Sequence, residues 1–144
     1  MPAGYSGTPL PQKLGIKAGA RVLVVSEPND FIDNDLVPMP EEVVVVSTLR
    51  ATTPCDVILC FCKDQAAIRK HFDKCRDRLV ENGGLWVCWP KKASGVKTDI
   101  DETFVREFGL QSGLVDNKVC AVNEVWSGLR FVIRIKDRAK PSRK

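Results

Sequence analysis

The residues of this chain that could do chemistry together are Trp89-Pro90-Lys91-Lys92-Ala93-Ser94-Gly95. Two ammonium groups, a hydroxyl and a glycine fall within five positions, directly after an apolar run. Lys91 and Lys92 supply positive charge and Ser94 a hydrogen bond. Gly95 lets the backbone turn its N–H groups inward, and a helix start just downstream would add the positive end of its dipole. The pattern reads either as a seat for a small anion or as a solvated loop turned by Pro90 and Gly95 over a packed Trp89. It is not a P-loop, because G-x-x-x-x-G-K-[ST] is absent. Tyr5, Ser6 and Trp126 are aromatic and hydroxyl groups expected to complete the same contact surface.

Other reactive types are sparse. His71 is the only histidine, so any His-based acid–base scheme would rest on it alone. It falls beside Ile68 and Cys75 at the margin of an apolar helical stripe, which suits a boundary residue. Six cysteines stand at 55, 60, 62, 75, 88 and 120 without a C-x-x-C pair, so no zinc template exists and no metal or cofactor is expected. Cys60, Cys62, Cys88 and Cys120 fall in apolar runs where cysteine behaves as a small hydrophobe. Cys55 and Cys62, near strand ends, are the candidates for a reactive thiol. This usage suits a reducing compartment.

The elements that must position these groups follow from patterning. Residues 21–26 and 56–62 are continuous apolar runs, read as strands buried on both faces, with residues 42–47 a third. Thr8 is expected to cap a short helical turn ending at Gly15, and one or two turns fit around residues 31–36. Asp64 opens the clearest helix, with Ile68, Phe72, Cys75 and Leu79 at helical spacing. Asn82-Gly83-Gly84 is expected to end it, before a strand over residues 85–89. Thr98 or Asp99 is expected to begin a second helix, stopped by Gly109. Residues 119–125 and 129–135 read as a hairpin with Trp126-Ser127-Gly128 as its turn, and Asp116-Asn117-Lys118 as a polar turn before it. The expectation is an α/β fold: a three-layer, Rossmann-like mixed sheet, mostly parallel, closed by a C-terminal antiparallel hairpin.

A chain of 144 residues, 44% apolar and 28% charged, is large enough for one domain with its own core. No apolar run approaches the roughly 20 residues that span a bilayer, and the first residues lack the pattern of a secretory signal. Cytoplasmic location is the resulting expectation. The net charge of +4 is local. Five of the 22 basic residues and one of the 18 acids fall in the last nine positions, so the rest carries 17 of each. Residues 1–135 are therefore read as the domain and 136–144 as a basic tail, open to weak phosphate contacts or to simple solvation.

Two resemblances attach to these residues. Ile16-Lys17-Ala18-Gly19-Ala20-Arg21-Val22-Leu23-Val24 resembles the approach to the first strand of class I, Rossmann-like methyltransferases. Leu79-Val80-Glu81-Asn82-Gly83-Gly84-Leu85-Trp86-Val87 is similar to their turn and fifth strand, and the closing hairpin takes the place of their strands six and seven. That likeness implies S-adenosylmethionine-dependent methyl transfer. However, the first strand should then run into a glycine-rich turn, and here it meets Ser26-Glu27-Pro28-Asn29-Asp30. Glu27 could stand in for an acidic contact.

Longer blocks resemble a family of small bacterial proteins known as a domain of unknown function. They are Tyr5-Ser6-Gly7-Thr8-Pro9-Leu10, Trp89 to Val96 with Thr98-Asp99, and Leu114-Val115-Asp116-Asn117-Lys118-Val119-Cys120-Ala121-Val122 with Trp126-Ser127-Gly128-Leu129-Arg130-Phe131. That family implies no particular activity. The leading expectation is a non-catalytic domain that binds a partner protein or small anionic ligand beyond residues 85–89, with a homodimer allowed. A reduced methyltransferase and weak nucleic-acid association through the tail are the alternatives.

Overall fold

The computed structural model describes residues 8–50 and 52–138. Ten main elements follow one another: α1 (Leu10–Lys13), β1 (Arg21–Val25), α2 (Phe31–Asn34), β2 (Val44–Val46), β3 (Cys55–Phe61), α3 (Gln65–Asp77), β4 (Leu79–Pro90), α4 (Glu102–Gln111), β5 (Leu114–Ala121) and β6 (Trp126–Ile133). The strands form one six-stranded sheet in the order β2-β1-β3-β4-β6-β5. The first four are parallel, and β6 and β5 are antiparallel additions. The Rossmann-like, mostly parallel sheet with a closing hairpin is thus the observed architecture. The chain leaves β1 outward to β2 and returns on the other side as β3, which makes β1/β3 the point where the strand order reverses.

Continuous apolar runs become central strands because both faces are covered. One face packs Leu23, Ile58, Leu85 and Phe131 against Ile68 and Phe72 of α3 and Val105 of α4. The other packs Val22, Val24, Leu59 and Trp86 under Leu14, Phe31 and Leu36, from the short helices and their connections. Trp86 is fully buried, and its indole N–H donates to Leu14 O at 3.1 Å, pinning the end of α1 to the middle of the sheet. Asp64 caps α3 by accepting from Ala67 N at 2.9 Å, as its position predicts. Arg78, 5% exposed, ends that helix and donates to Thr48 O (2.6 Å) and Thr53 O (3.0 and 3.2 Å), clamping the connection between β2 and β3.

Several boundaries differ from expectation. Leu79 leaves the helix and begins β4, so Asn82-Gly83-Gly84 lies within a strand instead of ending a helix. The first helical turn starts at Leu10 with Pro9 as its cap residue, and Thr8 makes no capping bond. Helix α4 begins at Glu102, capped by Asp101, whose carboxylate accepts from Phe104 N at 2.8 Å. It also runs through Gly109, whose bare Cα faces the ring of Phe131. The turn of the hairpin falls at residues 122–125, where Asn123 Oδ1 accepts from Val125 N and Trp126 N, both at 2.9 Å. Trp126-Ser127-Gly128 therefore opens β6. Asp116-Asn117-Lys118 lies inside β5, at a break in register.

Candidate functional site

Open α/β sheets hold ligands outside the carboxyl ends of their parallel strands, at the point where strand order reverses. Here that place is the rim between the ends of β1 and β3, where aromatic side chains cluster. Phe31 is fully buried, and its ring meets Phe61, the last residue of β3, edge-on at 4.8 Å. Phe61 in turn meets Trp126 at 5.0 Å. The loop between β1 and α2 turns without glycine: Ser26, Asn29 and Asp30 take φ of 60°, 20° and 56°. The Glu27 carboxylate accepts from Ile32 N at 2.7 Å within this loop. Beyond β2 the chain continues Ser47-Thr48-Leu49-Arg50, with no acid.

The lysine loop lies on the same rim, one strand further on. Pro90 ends β4, and Lys92–Ser94 form one turn of 3-10 helix. Trp89 is buried under it. Gly95 has φ +79°, the left-handed conformation for which glycine is suited. The Ser94 hydroxyl donates to Lys91 O at 2.6 Å and accepts from Val96 N at 3.2 Å, while Gly95 N donates to Lys92 O. Of the four residues expected to hold an anion, Ser94 and Gly95 are thus engaged in holding the turn. The helix dipole expected beside the loop is displaced to residue 102 and covered by Asp101. An open groove of about 560 Å³ beside the loop is lined by Lys92, Gly95 and Lys97 with Asp64, Thr98 and Asp99, while Lys91 and Ser94, expected at the site, are not part of the lining.

That groove is braced against α3. Thr98 Oγ1 donates to Lys63 O at 2.6 Å. Asp99 accepts from Gln65 N at 2.8 Å through its carboxylate and from Gln65 Nε2 at 2.7 Å through its carbonyl. The N–H groups at the start of α3 therefore already face two carboxylates, those of Asp64 and Asp99. Trp126 joins the aromatic cluster behind the rim and does not reach into the groove's lining. Tyr5 and Ser6 lie outside the described residues, as does the tail from residue 139.

The remaining reactive types are quiet. Cys55, Cys60, Cys62, Cys75 and Cys88 are buried, and Cys120 is half-buried. Burial raises the Cys55 thiol in spite of nearby Arg78, and raises Cys88 and Cys120 as well. Cys60 is raised by its hydrogen bonds to Cys62, whose sulfur is 3.6 Å away, and to Cys75, with burial adding to them. Thiolates are disfavoured at each of these, which counts against the reactive-thiol expectation at Cys55, and Cys62, the other candidate, is itself fully buried. Burial, then Lys70 and Lys74, lower the His71 pKa, and His71 Nδ1 has no hydrogen-bond partner among the described residues.

The fold itself is that of class I methyltransferases. NodS, an N-methyltransferase from Bradyrhizobium japonicum WM9, superposes with a TM-score of 0.54 at 15% identity, covering 88% of this chain and 98% of that one. The DhpI–SAH complex does so with 0.61 at 9% identity, covering 88% and 83%. The pyocyanin biosynthetic protein PhzM gives 0.62 at 11% identity, over 87% of this chain but 53% of PhzM. Identities this low carry the fold alone. No protein-family model matches the sequence, so the resemblance to a small bacterial family gains no support there, and no curated protein matches it either.

Proposed function

We propose that this chain is a reduced methyltransferase-fold domain that binds a small anionic ligand on the rim beyond β4 and does not transfer methyl groups. The observation that carries this reading is the aromatic cluster of Phe31, Phe61 and Trp126 at the ends of β1 and β3. A cofactor seated between β1 and β3 would need the volume that Phe31 fills, and removing a fully buried phenyl ring costs about 3–5 kcal/mol. S-adenosylmethionine also fits the loop chemistry poorly. No glycine lets the backbone approach it, and no acid follows β2 to meet a ribose. Binding then falls to the neighbouring groove, where Lys92 and Lys97 supply charge and Asp99 fixes the loop to α3.

A second reading, a reduced S-adenosylmethionine-dependent methyltransferase, is favoured by a specific pair of observations. The structural neighbours are methyltransferases, one of them bound to SAH, and the likeness supports this reading more than a purely binding role. The left-handed turn at Ser26 also keeps the backbone shape that glycine usually provides. The two readings part in a thermal-shift titration of the native chain and a Lys92→Glu/Lys97→Glu variant with inorganic phosphate, citrate and SAH. The binding reading expects saturable stabilisation by an anion that the variant loses, and none by SAH. Stabilisation by SAH alone, kept in the variant, would establish the second reading in its place.

A further inference from the structure

The opposite edge of the sheet, where the parallel strands begin, carries a second cavity, of about 400 Å³. Gly15, Lys17, Gly19, Asp56, Gly83 and Arg130 line it. Arg130 arrives from β6, paired across the ladder with Trp86 on β4. Its guanidinium spreads over the bare Cα of Gly84, two residues before Trp86. A Cβ at Gly84 would sit 2.7 Å from Cζ and 2.8 Å from Nη2, so the absence of a side chain there is what gives the arginine its place.

This guanidinium is half-buried and short of partners. Among the described residues its one hydrogen bond is from Nη1 to Asn117 Oδ1, at a long 3.4 Å. Among the described residues no carboxylate forms an ion pair with it, although Arg76 and Arg106 each have two. Burial, with Arg138 adding a like charge, pushes its pKa down. A desolvated charge without a counter-ion is costly, and a guanidinium fork is shaped to take an oxyanion through two parallel hydrogen bonds. Lys17, exposed at the cavity, adds a second cation. The acid in the lining is Asp56, whose carboxylate accepts from Arg21 N at 2.9 Å and has further acceptor capacity. A ligand that satisfies both sides carries an oxyanion toward Arg130 and Lys17 and a donor toward Asp56. The volume lies in the range of small-molecule sites.

We propose that this cavity, centred on Arg130, binds a small molecule carrying a phosphate or carboxylate next to an ammonium or hydroxyl donor. The site is separate from the rim beyond β4 and lies at the other ends of the same strands, so it stands whether or not the proposed rim function does. Calorimetric titration of the full chain with phosphoethanolamine, methyl phosphate and β-alanine tests it, the three probes separating phosphate from carboxylate and scoring the donor. One phosphoethanolamine, or one β-alanine, binds per chain, and methyl phosphate binds more weakly than phosphoethanolamine. Arg130→Gln weakens the binding at least about tenfold, the scale of a lost charge-assisted hydrogen bond. Asp56→Asn removes the preference for the probe with a donor.

Gly84→Ala keeps every charge and displaces only the flexible arginine head, so it weakens binding even if Arg130→Gln fails to fold. The Lys92→Glu/Lys97→Glu variant binds like the native chain. Absence of saturable binding by all three probes overturns the proposal. So does binding that Gly84→Ala and Arg130→Gln leave intact, or that the rim variant abolishes.

Discussion

Replacing Gly109 by alanine tests the packing that holds α4 to the sheet. In an open helix the change stabilises by about 1 kcal/mol, because glycine is the poorer helix former. Here a methyl group would overlap Cε1 and Cζ of Phe131 and stand 2.6 Å from Cδ1. Carbon atoms pack at about 3.5–4.0 Å, so the ring must retreat by about 1 Å or more. Phe131 has nowhere to go: it is fully buried, and its ring lies edge-on to Phe72 at 5.8 Å. Overpacking of this kind costs about 1–3 kcal/mol, and contact with three atoms of a rigid ring places it at the upper end. Setting the helix gain against it leaves a net loss of about 2 kcal/mol.

In a domain of this size that loss lowers Tm by about 6–8 °C. Thermal and urea unfolding of the native and G109A chains measure it, and a G109A/F131L double variant shows its cause. Relief of the clash makes the double variant less destabilised than the sum of the single changes by about 1 kcal/mol or more. A G109A chain as stable as the native one, or more stable, refutes the reasoning.

Arg78 is the other buried element with a large expected effect. Arg78→Met removes the hydrogen bonds to Thr48 O and Thr53 O and should cost about 2–3 kcal/mol, with relief of the charge's own desolvation offsetting part of the loss. An unchanged urea midpoint would show that the clamp on the β2–β3 connection is not needed. His71 should make stability depend on pH. Its folded pKa lies below the ordinary value near 6.5, so its contribution is complete above that value and is lost as pH falls through the depressed one. The urea midpoint should fall between pH 7.5 and 5.5, and by less in His71→Gln; equal slopes in both chains would contradict this.

Much of the frame is legible in the residues. Continuous apolar runs announce β1 and β3, and the stripe Ile68, Phe72, Cys75 with Asp64 ahead of it announces α3, because burial on two faces and on one face leave different periods. Glycine is where reading fails. At Gly109 and Gly128 it looks like punctuation, yet its purpose is close approach: to Phe131 in one case, and to Trp86 Cε3 and Val122 in the other. Such demands come from residues far away in the chain, which no local pattern carries.

The candidate site shows the same divide. That a loop on the sheet's rim follows residues 85–89 can be read from an apolar run and a break. That Ser94 spends its hydroxyl inside the loop cannot, since this depends on where Lys91 O and Val96 N fall after the chain turns. The packing of Phe31 on Phe61 is likewise invisible until β1 and β3 are adjacent. Arg130 looks like any strand arginine until Gly84 is seen beneath it.

The most direct test of the central claim is calorimetric titration of the native chain with S-adenosylmethionine and SAH. With Phe31 packed on Phe61 at the strand ends and no glycine in the turn after β1, no saturable binding is expected up to about 1 mM ligand, equivalent to less than about 4 kcal/mol of affinity. One-to-one binding with a micromolar Kd, lost when Ser26 or Glu27 is changed, would contradict it and return the chain to the working methyltransferases.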